Sequence, residues 1–211
     1  FMQYESLVIM PQYTPPLQIG LRYTTSRSKF LNDMQVRPLQ IRTEHVPVGF
    51  QYTDGSVPTG FSIALQKAVS KGEIRLQSDD PTEHPILDYH YLSDPYDLER
   101  MRESVRLCAE LTSRDEFAGI VKRFSPNDEI LLNDDALSNW ILSNVSTQHH
   151  SSGTCKMGPV SDLMSVVDPY CKVHGLDNLM VVDASVMPDV VRANTNATTI
   201  MIAEKIADQI M

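Results

Sequence analysis

Apolar and polar residues alternate in three early stretches: Leu17 to Tyr23, Met34 to Ile41 and Gly60 to Leu65. A period of two puts alternate side chains on opposite faces, so these stretches predict strands with one buried face. Segments rich in Pro, Ser, Thr, Asn and Asp separate them, at Thr25 to Asp33 and Tyr52 to Pro58, as sheet connections require. Gly72 to Ser78 adds a further short strand. The period then changes. Asp94-Pro95 offers an N-cap with proline at the first helical position, and Leu98, Met101, Val105, Cys108 and Leu111 follow at helical steps. Leu137, Trp140, Ile141 and Val145 repeat the pattern over a shorter helix. Further on, short strands are expected at Ser165 to Asp168 and Leu179 to Asp183. A final helix is expected from Asn196 to Ile210, with Ile200, Ala203, Ile206 and Ile210 on one face. Strands first and helices later predict an α+β fold, an antiparallel sheet with helices packed on one face.

Composition narrows the function classes. The 211 residues are 42% hydrophobic and 21% charged, an ordinary globular mix. Net charge is −9, and no Lys/Arg cluster could displace the counterions of a nucleic acid or bind an anionic membrane. No apolar run is long enough to span a bilayer. Three cysteines, Cys108, Cys155 and Cys171, suit reduced thiols and a cytoplasmic location better than a disulfide scaffold. No basic-then-apolar leader opens the chain. Phe1-Met2-Gln3 runs straight into apolar sequence, which reads as a start inside a larger protein.

Two segments concentrate chemistry. Gln148-His149-His150-Ser151-Ser152-Gly153-Thr154-Cys155-Lys156-Met157-Gly158 sets paired imidazoles before small residues, which keeps a general base accessible. The bland reading is a hydrogen-bonded surface histidine. Asn194-Thr195-Asn196-Ala197-Thr198-Thr199 opens the last helix; these residue types are ordinary N-caps. A helix start also presents unpaired N–H groups that stabilise negative charge, including that at the N1–C2=O edge of a reduced flavin. His149, His150, Cys155, Cys171 and His174 have the atom types of metal ligands. However, only Cys171-x-x-His174 approaches clamp spacing, so no metal site is assigned. Asp79, Asp80 and Glu83 read as a solvated turn, and Cys108 as an inert core thiol.

Five ordered motifs carry a family resemblance. They are His150 to Gly158, Val166 to Asp168, Val173 to Leu179, Asp183 to Pro188 and Asn194 to Asn196. Together they resemble the C-terminal signature of the glucose–methanol–choline (GMC) oxidoreductases, in their choline dehydrogenase- or oxidase-like form. Lys71 to Leu76 and Asp88 to Asp94 resemble the family's substrate-domain sheet and its exit into a helix. The resemblance implies a FAD-dependent enzyme oxidising an alcohol, with His150 as the catalytic histidine and Asn194 as the second member of the pair. Asp183 and Ala184 would lie near the ribityl–pyrophosphate of FAD, and Asn196 and Thr198 near the pyrimidine edge of its ring. It further implies residues 1–147 as a substrate-binding domain, and residues 148–211 as the histidine loop and a segment that completes the flavin domain.

One departure is plain. The nine glycines never fall at the Gly-x-Gly-x-x-Gly spacing that cradles the FAD pyrophosphate. An N-terminal FAD-binding half is therefore expected as a partner, and this chain alone is expected to hold little or no FAD. Apolar surface from about Val166 onward is expected to face that half, or to drive self-association. Two other functions share these residues: a hydroxynitrile lyase on the same scaffold, and a binding domain that catalyses nothing.

Overall fold

The computed structural model describes residues 19–39, 60–117 and 125–210. The expected strand ends at Leu17 and Ile41 and the connection at Tyr52 to Pro58 lie outside them. The chain divides into two compact units, Phe1–Leu65 with Leu92–Ser146, and Gln66–Tyr91 with Thr147–Met211. The fold class is α+β, with antiparallel sheets and helices packed against them.

In the first unit, β1 (Leu21–Tyr23), β2 (Met34–Leu39) and β3 (Gly60–Leu65) form an antiparallel sheet in the order β1-β2-β3. Val36 faces Leu21 on one side and Ile63 on the other. Alternation decides the faces: Met34 and Val36 are buried, while Gln35 and Arg37 are only half-buried. Pro38 lies two residues past the last pairing with β1, where a missing N–H is tolerated.

α1 (Pro95–Thr112) begins as its sequence demands, with Asp94 accepting a 2.8 Å bond from the Tyr96 amide and proline at the first position. Its apolar stripe packs with α3 (Asp134–Asn144) around Val36, Leu92, Val105, Cys108, Leu137 and Ile141. α2 (Asp128–Leu132) contributes Leu131 to the same core. Trp140 packs against it, and burial pushes the Cys108 thiol up to about 12, as befits an unreactive core residue.

α1 also buries a polar stripe. Asp97, Arg100 and Ser104 are shielded from solvent. Arg100 bridges Asp97 and Asp33 (2.9 Å to Asp33), and the Tyr23 hydroxyl donates to Ser104 Oγ at 2.6 Å. Thr25 donates to Asp33 through both its amide and its hydroxyl. The loop between β1 and β2 is thus fastened to the helix through buried charge.

The second unit has less regular structure. β4 (Glu73–Arg75) pairs antiparallel with β5 (Ile86–Asp88), a strand the alternation pattern does not reveal. Gly72 precedes β4 so closely that an added Cβ would sit 2.1 Å from the Asp88 carbonyl oxygen. Gly72→Ala is therefore expected to push the two strands apart and lower stability by about 1–3 kcal/mol. Hydrogen exchange at the Ile74 and Leu87 amides would register the change, and unchanged protection would contradict it. The acidic turn is local: Asp80 accepts from the Thr82 amide at 2.8 Å and is solvent-exposed.

Two expectations need correction. The segments Ser165 to Asp168 and Leu179 to Asp183 form isolated bridges, Val167 with Met157 and Val173, and Met180 with Lys172, instead of strands. The chain turns too often for a ladder, with positive φ at Cys171 (63°), Gly175 (75°) and Asn178 (61°). On α4 (Asn196–Ile210) the buried face is also different. Ile206 (3% exposed) joins Val167, Cys171 and Val186 in the core with Ile202 beside it, whereas Ile200 (53%) and Ile210 (66%) face outward. The helix docks through Ile202 and Ile206, so Ile206 of the expected stripe is buried while Ile200 and Ile210 are not.

Candidate functional site

The candidate residues all belong to the second unit. The histidine loop leaves α3 at Val145, and the His149 amide donates to Thr147 Oγ1 at 2.9 Å. His149 takes φ 60° and is exposed, while His150 is half-buried. The left-handed residue turns the chain so that the second imidazole, and not the first, faces the protein. His150 Nδ1 lies 3.2 Å from Thr195 Oγ1.

Beyond His150 the loop is laid against the chain around the 3-10 turn Ala184–Val186. The amides of Gly153, Cys155 and Met157 donate to the carbonyls of Ala184, Ser185 and Val186 at 3.3, 2.9 and 2.9 Å. Gly153 needs its freedom here, with φ 84° and the Met187 carbonyl 3.3 Å from where a Cβ would stand. Asp183 is exposed and caps the turn, accepting from the Ser185 amide at 2.8 Å and from the Ser185 hydroxyl. Ala184 is half-buried and tied to the loop through its carbonyl.

The second motif is held from both ends. Lys67 Nζ donates to Asp189 at 2.6 Å and to the Val190 carbonyl at 2.9 Å, anchoring the approach to Asn194. Burial of Asp189 opposes its ionisation, but the Lys67 ammonium prevails and holds the carboxyl below the ordinary range. At the other end the Thr195 carbonyl accepts from both the amide and the hydroxyl of Thr199, each at 2.9 Å, as α4 begins. Asn194 and Asn196 are exposed and Thr198 half-buried. In sequence Thr195 reads as one of several ordinary capping residues, and its place between Asn194 and Asn196 is the signal that sets it apart.

The tempting metal ligands are otherwise engaged. Cys171 is fully buried in the core, which pushes its thiol up, and His174 Nε2 lies 3.0 Å from the Gly158 carbonyl. Among the described residues no three His, Cys, Asp or Glu side chains gather to hold a metal ion, and no helix is long and apolar enough to cross a membrane. A cleft of about 560 Å³ lies in the first unit, lined by Arg27, Glu99, Arg102, Arg106 and Asp134. Those charges pair with one another, Arg27 with Glu99 and Arg106 with Asp134, so the cleft is a surface ion-pair network and not the chemical site.

Comparison with known proteins shows what the chain is similar to. Residues 68–203 match the family described as GMC oxidoreductase. The chain is 38% identical over 177 residues to an oxygen-dependent choline dehydrogenase of Escherichia coli, covering 81% of this chain and 31% of that protein. It thus spans about a third of the length of the curated relatives it matches. Among solved structures it resembles a pyridoxine 4-oxidase from Mesorbium loti (TM-score 0.73, 28% identity, 85% of this chain and 34% of that one). A formate oxidase from Aspergillus oryzae is similar at TM-score 0.72 and 26% identity, over 84% of this chain and 31% of that one.

Proposed function

The chain belongs to the GMC oxidoreductase family, and from that premise we propose that it forms the C-terminal part of a FAD-dependent enzyme that oxidises an alcohol. The observation that carries the reading is the contact between the two motifs. His150 and Thr195 touch across 45 residues of sequence, bringing the neighbourhood of Asn194 to the imidazole. Residues 1–147 would bind the substrate, and residues 148–211 would present the catalytic groups.

The residues present fit one edge of FAD. The first turn of α4 offers amides without intrahelical carbonyls, with Asn196 exposed beside them. Asn196 and Thr198 would hold the pyrimidine edge of the ring, and Asp183 and Ala184 would lie near the ribityl chain. Bound FAD supplies the acceptor for the carbon-bound hydrogen and its electron pair. His150 takes the hydroxyl proton, and the Asn194 amide donates a hydrogen bond to the same oxygen as alkoxide charge develops. Choline, the substrate named for the Escherichia coli relative, is the first alcohol to assay.

A visible spectrum tests the division of labour. After incubation with FAD and removal of free cofactor, the 211-residue chain is expected to retain little flavin absorbance. The chain joined to a FAD-binding half is expected to retain it and to lose it reversibly on adding an alcohol without an electron acceptor. A flavin-loaded protein that no alcohol bleaches would refute the proposal.

A further inference from the structure

Thr195 is fixed more firmly than a cap requires. Its carbonyl is held twice by Thr199, it is 8% exposed, and its β-branched side chain has few rotamers to choose from. The hydroxyl that results stands 3.2 Å from His150 Nδ1. Among the described residues the hydrogen bond of the imidazole is made on the Nδ1 side, to the residue that precedes α4, and none is made by Nε2. Which nitrogen carries the proton of a neutral imidazole is set by the bond the other atom makes. A hydroxyl can serve either way, as donor or acceptor.

We propose that Thr195 is a positioning residue that accepts a hydrogen bond from Nδ1–H of His150, holding the imidazole in the tautomer whose Nε2 is free to take a proton. The inference rests on the reading of His150 as the base, and it adds what makes that base competent at rest. Neutral imidazole in water favours the opposite tautomer, with the proton on Nε2, which could not accept the hydroxyl proton. Thr195 thus couples the start of α4 to the protonation pattern of a residue on another loop. The same bond fixes the ring plane, so a loop that leaves α3 through an exposed left-handed residue still presents one defined nitrogen.

The test needs neither FAD nor turnover. Long-range proton–nitrogen correlation spectra of the uniformly 15N-labelled chain, above the pH at which its imidazoles are protonated, report the tautomer of each ring. His150→Gln identifies the His150 signals. The parent chain and Thr195→Ser are expected to show His150 mainly as the Nδ1–H tautomer. Thr195→Val, which keeps the shape and removes the hydroxyl, is expected to shift it toward Nε2–H. An Nε2–H tautomer in the parent chain overturns the inference without recourse to any variant, as does a valine spectrum identical to the parent's. Failure of alcohol oxidation in the holoenzyme would instead strike the reading of His150 as base, so the two failures are distinguishable.

Discussion

Replacing His150 with glutamine in the FAD-loaded enzyme is expected to lower kcat/KM for the alcohol by about 10²- to 10⁴-fold, with flavin content unchanged. Glutamine keeps polarity and much of the volume, so the loop against Ala184 to Val186 should remain in place. On the proposed reading what is lost is the group that takes the hydroxyl proton, and the loss should fall on kcat as well as on kcat/KM. His149→Gln is the matched control. That imidazole is exposed, and among the described residues the bond His149 makes is from its backbone amide, to Thr147. Its removal should leave the rate close to the parent's. Steady-state kinetics on the two variants separate the adjacent histidines, and equal losses in both would mean that the loop's integrity, and not one imidazole, is what matters.

The preference for His150 over His149 rests in the sequence only on the spacing of the Gly-Thr motif; the left-handed turn at His149, which leaves that residue exposed and the next half-buried, is something no periodicity reveals. Elements with strong local signals follow their sequence. α1 starts at the residue its Asp-Pro pair demands, and α4 runs from Asn196 to Ile210 as its helical pattern requires. The signal failed where the chain is held by scattered hydrogen bonds. Val167 and Val173 bridge without a ladder, and β5 is only three residues long. On α4 the sequence points to Ile206 but not to Ile202, because apolar residues surround much of the helix and the core that selects the pair is assembled from distant segments. The contact of His150 with Thr195 is of the same kind, a meeting that spacing alone cannot announce.

The least legible feature is also the one whose removal should cost the fold most. Arg100 occupies what looks in sequence like the polar side of an amphipathic helix, yet it is buried with Asp33 and Asp97 and lies 4.3 Å from the centroid of the Tyr96 ring. Arg100→Met keeps the apolar stem but leaves two shielded carboxylates without the guanidinium between them, a change worth about 3–5 kcal/mol of stability. Acid should act in the same direction. Burial alone would raise the Asp33 carboxyl, but bonds from Ser28, Arg100 and Thr25 outweigh it and hold the group below its ordinary 3.8. A carboxyl depressed in the folded state stabilises the fold above its unfolded value, and that stability is lost as pH falls through the folded one. Removing Arg100 takes away one of the depressing bonds, so the variant, though less stable at neutral pH, should lose less further stability on acidification than the parent. Urea unfolding of both proteins between neutral pH and pH 3, followed by the fluorescence of Trp140 in the same unit, measures both effects. If Arg100→Met unfolded at the parent's urea concentration, the buried pairs would be no more than offset by the cost of desolvating them, and the loop from Thr25 to Asp33 would owe its position to the apolar core alone.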